Sequence, residues 1–135
     1  MDIIDHTSQP LDEWRTGVMT RMLVSALTGA ESLCVFEQFC EPGKGAPTHL
    51  HAVEEVLTVV DGAAEVWIDA ERATLAAGQS VVVAAGRKHG FRNTGPAVLR
   101  VRAILAAPVF EAWFDGEPGS RRRWLPRSPS SGSES

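Results

Sequence analysis

The apolar positions of this chain fall in short runs cut by Gly, Pro and Asp, not in the stripe of a long amphipathic helix. Arg21–Thr28 (RMLVSALT) stops at Gly29-Ala30, and Ser32–Glu41 (SLCVFEQFCE) stops at Pro42-Gly43. Val53–Val60 (VEEVLTVV) is dense in β-branched residues and ends at Asp61-Gly62, a hairpin signal. Ala64–Asp69 and Arg72–Leu75 predict the next hairpin. Ser80–Ala84, His89–Arg92, Val98–Ala107 and Val109–Phe114 complete the set. Many short strands joined by turn residues predict an all-β sandwich or barrel.

Side chains alternate faces along a strand, so each run also predicts what it buries. In the second run Leu33, Val35, Glu37 and Phe39 share one face, and Cys34, Phe36, Gln38 and Cys40 the other. Each face carries one polar residue that is either outward or a contact inside the barrel. In Val53–Val60, the positions Val53, Glu55, Leu57 and Val59 point inward, leaving Val56, Thr58 and Val60 outside. Arg100 and Arg102 share a face, which requires solvent, a partner or an acidic group. Leu11–Arg15 reads as one helical turn or as an arm on the barrel. Beyond Asp115 the chain becomes Gly-, Ser-, Arg- and Pro-rich, a composition with too little apolar surface to offset its ordering entropy. The expected organisation is an N-terminal arm (1–17), a barrel (18–115) and a flexible C-terminal tail (116–135).

Composition narrows the partners. At 135 residues the chain suits one domain, and its net charge of −4 is mild. No basic stripe interleaves with aromatics, which argues against nucleic acid. The start has no basic region followed by an apolar run, and no apolar stretch is long enough to span a bilayer. A cytoplasmic protein with no membrane partner is expected. Cys34 and Cys40, on one strand, would stand about 20 Å apart at ~3.3 Å per residue, too far to bridge. They are expected to be buried, reduced thiols.

The chemistry concentrates in Gly43-Lys44-Gly45-Ala46-Pro47-Thr48-His49-Leu50-His51-Ala52-Val53-Glu54-Glu55. If 49–55 is one strand, His49, His51 and Glu55 share a face by parity. Two imidazoles and a carboxylate suit a borderline divalent metal. A fourth ligand must come from elsewhere, and His89 is the candidate. His6 lies apart and reads as a surface residue.

These residues resemble the cupins. The first cupin motif, G-x5-H-x-H-x3-E-x6-G, is met by Gly43, His49, His51, Glu55 and Gly62. The second, G-x5-P-x-G-x2-H-x3-N, is met by Gly78, Gly86, His89 and Asn93, with Ala84 in place of the proline. The resemblance implies a double-stranded β-helix, or jelly-roll, barrel. It implies one divalent transition metal per chain (Zn, Mn, Fe, Ni, Co or Cu) held by His49, His51, Glu55 and His89, with Glu55 also the catalytic residue. It implies a small organic ligand or substrate in the barrel and, as the first reading, a metal-dependent dioxygenase. A Lewis-acid isomerase, lyase or decarboxylase and a non-enzymatic binding module are the alternatives. Phe39, Leu57, Val59, Trp67 and Phe91 are the pocket candidates, and Asn93 is read as a turn residue. Glu54 is expected to face away or to pair with Arg87 or Lys88. Apolar residues on the outer sheet face, with the pairing habit of cupins, predict a homodimer.

Overall fold

The computed structural model describes residues 1–126. Twelve strands follow one another among them: β1 (Asp12–Arg15), β2 (Val18–Val24), β3 (Cys34–Cys40), β4 (Gly45–Leu50), β5 (Glu55–Asp61), β6 (Ala63–Ile68), β7 (Glu71–Ala76), β8 (Gln79–Val83), β9 (His89–Asn93), β10 (Leu99–Leu105), β11 (Phe110–Phe114) and β12 (Arg121–Arg123). They form two antiparallel sheets, ordered β1-β2-β3-β10-β5-β8 and β12-β11-β4-β9-β6-β7. Consecutive strands repeatedly change sheet, as in a jelly roll. The core lies between the sheets, with Leu57, Val59 and Val101 of the first meeting Val66, Phe91 and Ala112 of the second. No helix of the described residues is long and apolar enough to cross a membrane.

Alternation is obeyed where both flanks of a strand are paired. On β10, Leu99, Val101, Ala103 and Leu105 are buried and Arg100, Arg102 and Ile104 half-buried. On β5, Glu55, Leu57 and Val59 face inward. Cys34 and Cys40 are buried free thiols, both raised to about 12 by burial.

The two polar residues of β3 separate. Gln38 points inward, its Nε2 donating to Thr20 Oγ1 at 3.0 Å. Glu37 lies on the outer face, yet it is only 2% exposed. Arg100 Nη2 donates to its two oxygens at 3.0 and 3.1 Å, and Arg102 donates to Oε2 from Nε at 3.1 Å and Nη2 at 2.7 Å. The acidic group that Arg100 and Arg102 required is therefore in their own sheet. Burial pushes the Glu37 carboxyl up, but the hydrogen bonds and charges of the two arginines outweigh it and hold it below its ordinary value.

Two local expectations need correcting and one open alternative is resolved. Residues 49–55 are not one strand: β4 ends at Leu50 and β5 begins at Glu55 in the other sheet. The run Arg21–Thr28 stops as a strand at Val24. Ser25 then caps a 3₁₀ turn over Ala26–Thr28, accepting from Leu27 N at 3.1 Å, and hydroxyl caps compete with sheet pairing in this way. Leu11–Arg15 resolves into an extended arm, because Asp12–Arg15 pair with β2 at the sheet edge. Of the segment 116–135, Arg121–Arg123 pair with β11, and residues 127–135 lie outside the described residues.

Candidate metal centre

Each of the four polar residues singled out by spacing arrives from a different place. His49 is near the end of β4 and sits opposite His89 at the start of β9. His51 follows on the crossover between sheets, and Glu55 opens β5 across the barrel. The crossover is fixed by a turn: Gly86 N donates to His51 O at 2.8 Å, and Gly86 has φ 78°, a region that L side chains rarely adopt. That turn still closes without the motif's proline, through Arg87 N to Ala84 O at 3.2 Å. Parity thus picked out residues that do converge, but not by sharing a strand. They converge because the chain changes sheets between them.

The imidazoles are oriented from behind. His49 Nδ1 donates to Pro47 O (2.6 Å), His51 Nδ1 to Glu111 O (2.7 Å) and His89 Nδ1 to Arg87 O (2.9 Å). A ring whose Nδ1–H is so engaged presents an unprotonated Nε2. All four side chains are buried, and their donor atoms lie within 4.8 Å of one another. Opposite ligands of one ion with bonds of ~2.1 Å would span about 4.2 Å, so the set fits a single divalent metal.

The strongest sign is a deficit. His51 Nε2, Glu55 Oε1 and His89 Nε2 are shut from water and lack a well-aligned hydrogen-bond partner. Glu55 Oε1 stands 2.6 Å from His89 Nε2 and 3.7 Å from His51 Nε2, so the three atoms converge on one point. Unsatisfied buried polar atoms cost about 1–3 kcal/mol each, and more if charged, so three together call for a cation. The charge state suits one. Burial drives His49 down to about 3, with the neighbouring His89 and His51 adding to it. Burial also lowers His51. Burial opposes ionisation of Glu55, but His89 and the other two imidazoles outweigh it and keep its pKa below the ordinary value. Neutral imidazoles with an ionised carboxylate are what a metal requires. His89 is the exception: burial lowers it, but the hydrogen bond and charge of Glu55 outweigh burial and hold its pKa above the ordinary value, so a metal binding here must displace that proton.

The cluster lines a small cavity between the sheets together with Leu57, Phe91, Val101 and Ala103 and the polar Gln38 and Arg15. Beside the cluster stands an aromatic group that sequence reasoning did not assemble. Trp14 of β1 packs on Phe110 (centroids 4.8 Å), on Phe36 (5.8 Å) and on Trp124 (5.6 Å). Phe110 reaches the His51 ring (5.5 Å), and Phe114 stacks on His49 (5.0 Å, 27°). Trp124 holds φ 62°, costly for a bulky residue and sustained by this packing. An arm on the barrel was one expectation for the segment holding Trp14, but nothing in the sequence brought Trp14 and Trp124 together.

Of the pocket candidates, Leu57 and Phe91 line the cavity. Phe39 does not: it lies on the outer face beneath Arg100, 5.6 Å from its ring centroid. Val59 is core, and Trp67 spends its Nε1–H on Thr48 Oγ1 at 2.9 Å. Asn93 is a structural tie, donating to Cys40 O (2.9 Å) and Ala97 O (2.8 Å). Glu54 is exposed and faces away, while Arg87 pairs with Asp69 and Lys88 with Asp115.

Known proteins agree with this architecture. Auxin-binding protein 1 of Arabidopsis thaliana is 24% identical over 131 residues, covering 85% of this chain and 66% of its own length, so the chain spans about two thirds of that relative. The polyketide cyclase RemF from Streptomyces resistomycificus superposes with a TM-score of 0.70 at 18% identity, over 96% of this chain and 89% of its own. Oxalate decarboxylase of Lactobacillus farciminis, solved as a formate complex, gives 0.74 at 17% identity, over 81% of this chain and 34% of its own. At such identities the structures speak to the fold. The family model of the Cupin domain matches residues 36–105, just over half of the chain and the whole ligand cluster, and the protein belongs to the cupin family.

Proposed function

We propose that the chain is a metal-dependent enzyme. It holds one divalent transition metal through His49, His51, Glu55 and His89 and acts on a small organic ligand in the barrel as a dioxygenase-type oxidoreductase. The observation that carries this reading is the set of orphaned donor atoms facing a cavity whose remaining walls are mainly apolar, with Gln38 and Arg15 the polar exceptions. When bound, the metal supplies Lewis-acid polarisation of an enol or diol and open positions for that ligand and O2. The chain supplies the rest. Phe91, Phe110 and Phe114 give flat walls that orient a planar ligand and exclude water. Glu55 is held ionised in a dry site, and we give it the catalytic role of accepting a proton from the ligand hydroxyl at a carboxylate oxygen.

A second reading, Lewis-acid chemistry without O2, is favoured by the cyclase that superposes over nearly all of this chain and by the decarboxylase. One experiment separates the two. The protein is loaded with Fe, Mn, Ni, Cu or Zn and offered catechols and β-diketones in a closed oxygen-electrode cell. O2 uptake that requires both metal and substrate is the expected result. Turnover that persists anaerobically with Zn establishes the second reading, and ligand binding with no turnover under either condition leaves a binding module.

We also propose a homodimer. The outer face of the first sheet carries half-buried Val35, Phe39, Val56 and Ile104, with Val82 61% exposed beside them. Contiguous apolar surface of this kind marks interfaces. Light scattering should give about 29 kDa, twice the 14.6 kDa chain. Val56→Asp should shift the mass toward monomer without loss of metal, since residue 56 faces away from the ligands. A wild-type species of 14.6 kDa at high concentration refutes the dimer.

A further inference from the structure

The ligand cluster depends on an irregularity in one strand. On β4, Ala46 and His49 are both buried and both line the cavity. They stand three residues apart, whereas their partners on β9, Phe91 and His89, stand two apart. Strict alternation from Ala46 would turn Thr48 inward and His49 outward. A bulge at Pro47-Thr48, opposite Gly90, takes up the extra residue and returns His49 to the inner face. The sequence favours it there, because proline offers no ladder N–H and is confined within sheets to edges, first residues and bulges. Within the bulge, Pro47 O accepts from His49 Nδ1 at 2.6 Å, and Thr48 O accepts from Asp115 N at 3.1 Å. From the outer face of the sheet, Trp67 Nε1 donates to Thr48 Oγ1 at 2.9 Å. The Trp67 indole also covers Gly90, its partner between β6 and β9. A Cβ at residue 90 would collide with Trp67 Cζ2 and Cε2.

We propose that Trp67 is a positioning residue for His49: through Thr48 it holds the β4 bulge in the shape that turns His49 toward His51, Glu55 and His89. This deepens the metal-centre reading and rests on it for the metal. One indole reaches both strands of the ladder that sets His49 opposite His89, by packing over Gly90 and by bonding to Thr48. Thr48 lies between His49 and Pro47, so a shift of its backbone moves both the imidazole and the carbonyl that orients it. Trp67 does not line the cavity, so it acts only through these two strands. Partners that orient a ligand from outside matter to the metal, and their loss typically weakens binding about 10- to 100-fold.

The test has a metal-free arm and a metal arm, both on the full chain at fixed pH. In metal-free protein, exchange of the imidazole Nδ1 protons of His49 and His51 is followed by NMR. Thr48→Val keeps the shape and loses the acceptor, and Trp67→Phe keeps a ring and loses the donor. Each should speed the His49 exchange about 10-fold, near the worth of one hydrogen bond. His51, anchored on Glu111 O, should be unchanged. Thr48→Ser keeps the hydroxyl and should match the wild type. In the metal arm, Co2+ should bind about 10-fold more weakly to Thr48→Val and Trp67→Phe, and the visible absorption of the bound ion should change, since it reports the donor geometry. A residue that only adds packing would lower the thermal midpoint and move none of these readouts. Unchanged His49 exchange with an unchanged Co2+ spectrum in both variants overturns the proposal, as does equal acceleration of His49 and His51. Wild-type protein that takes up no Co2+ removes the metal-centre reading, and a selective His49 effect in the metal-free arm then still supports the positioning role of Trp67.

Discussion

His51→Ala should bring metal content from about one per chain to a small fraction of that and lower the thermal midpoint by about 10 °C. The reasoning is linkage. A ligand that binds only the folded state stabilises it by RT ln(1 + [L]/Kd), about 2.7 kcal/mol at a hundredfold excess over Kd, and for a chain of this size each kcal/mol moves the midpoint by roughly 4 °C. His51 is the sensitive choice because its ring is fixed by Glu111 O on β11 and its Nε2 has no other partner. A chelator should lower the wild-type midpoint toward that of the variant and leave the variant unchanged. Acid should act like the chelator. Burial depresses His49 and His51 in the folded chain, whereas in the unfolded chain they protonate near ~6.5. The stability that depends on neutral imidazoles is therefore fully present above that pH and is lost as pH falls below it, with metal release adding to the loss. Full metal occupancy in His51→Ala, by elemental analysis, refutes the ligand assignment.

Gly45→Ala should be the most damaging single methyl in the barrel, costing about 3 kcal/mol or more and disrupting metal binding with it. A Cβ at residue 45 would stand 2.1 Å from Phe91 O and 2.9 Å from Arg92 Cα. Those are backbone atoms of β9, the strand paired with β4, so no side chain can rotate out of the way. Overpacking typically costs 1–3 kcal/mol when side chains can yield, and here the strands themselves must part. Parting them at Gly45 opens the same ladder that sets His49 opposite His89. Gly116→Ala is the control. It has φ 81° with nothing within 4 Å of the added carbon, so it should lose only the conformational term of about 1–2 kcal/mol and keep its metal. Equal urea midpoints for the two variants would show that the close approach of β4 and β9 is not what Gly45 serves.

The buried cluster of His49, His51, Glu55 and His89 was legible because it is written in local spacing. Two histidines, a glutamate and the glycines of two turns identify it without any knowledge of which strands pair. The strand runs were legible for the same reason, since alternation on β5 and β10 is a property of each segment alone. What parity could not supply was the break between Leu50 and Glu55. The burial of Glu55 looks the same whether it shares a strand with His49 or faces it from the other sheet. The outward burial of Glu37 was hidden because Arg100 and Arg102 lie 63 and 65 residues away in the chain. Trp14, Arg15 and Trp124 were hidden for a related reason. Their place is set by which strands become edges, a decision made by the whole sheet and by no window of sequence.

That placement makes the cluster's surroundings a late product of folding. The anchor carbonyl of His51 comes from Glu111 on β11, 60 residues away, and Trp14 of β1 meets Trp124 just after β12. Contacts between such distant segments close the longest loops of the fold, and loop closure must be met before those contacts repay it. The strands that can pair locally thus form first, and the buried cluster gains its His51 anchor and its aromatic neighbours only when both flanking segments have docked.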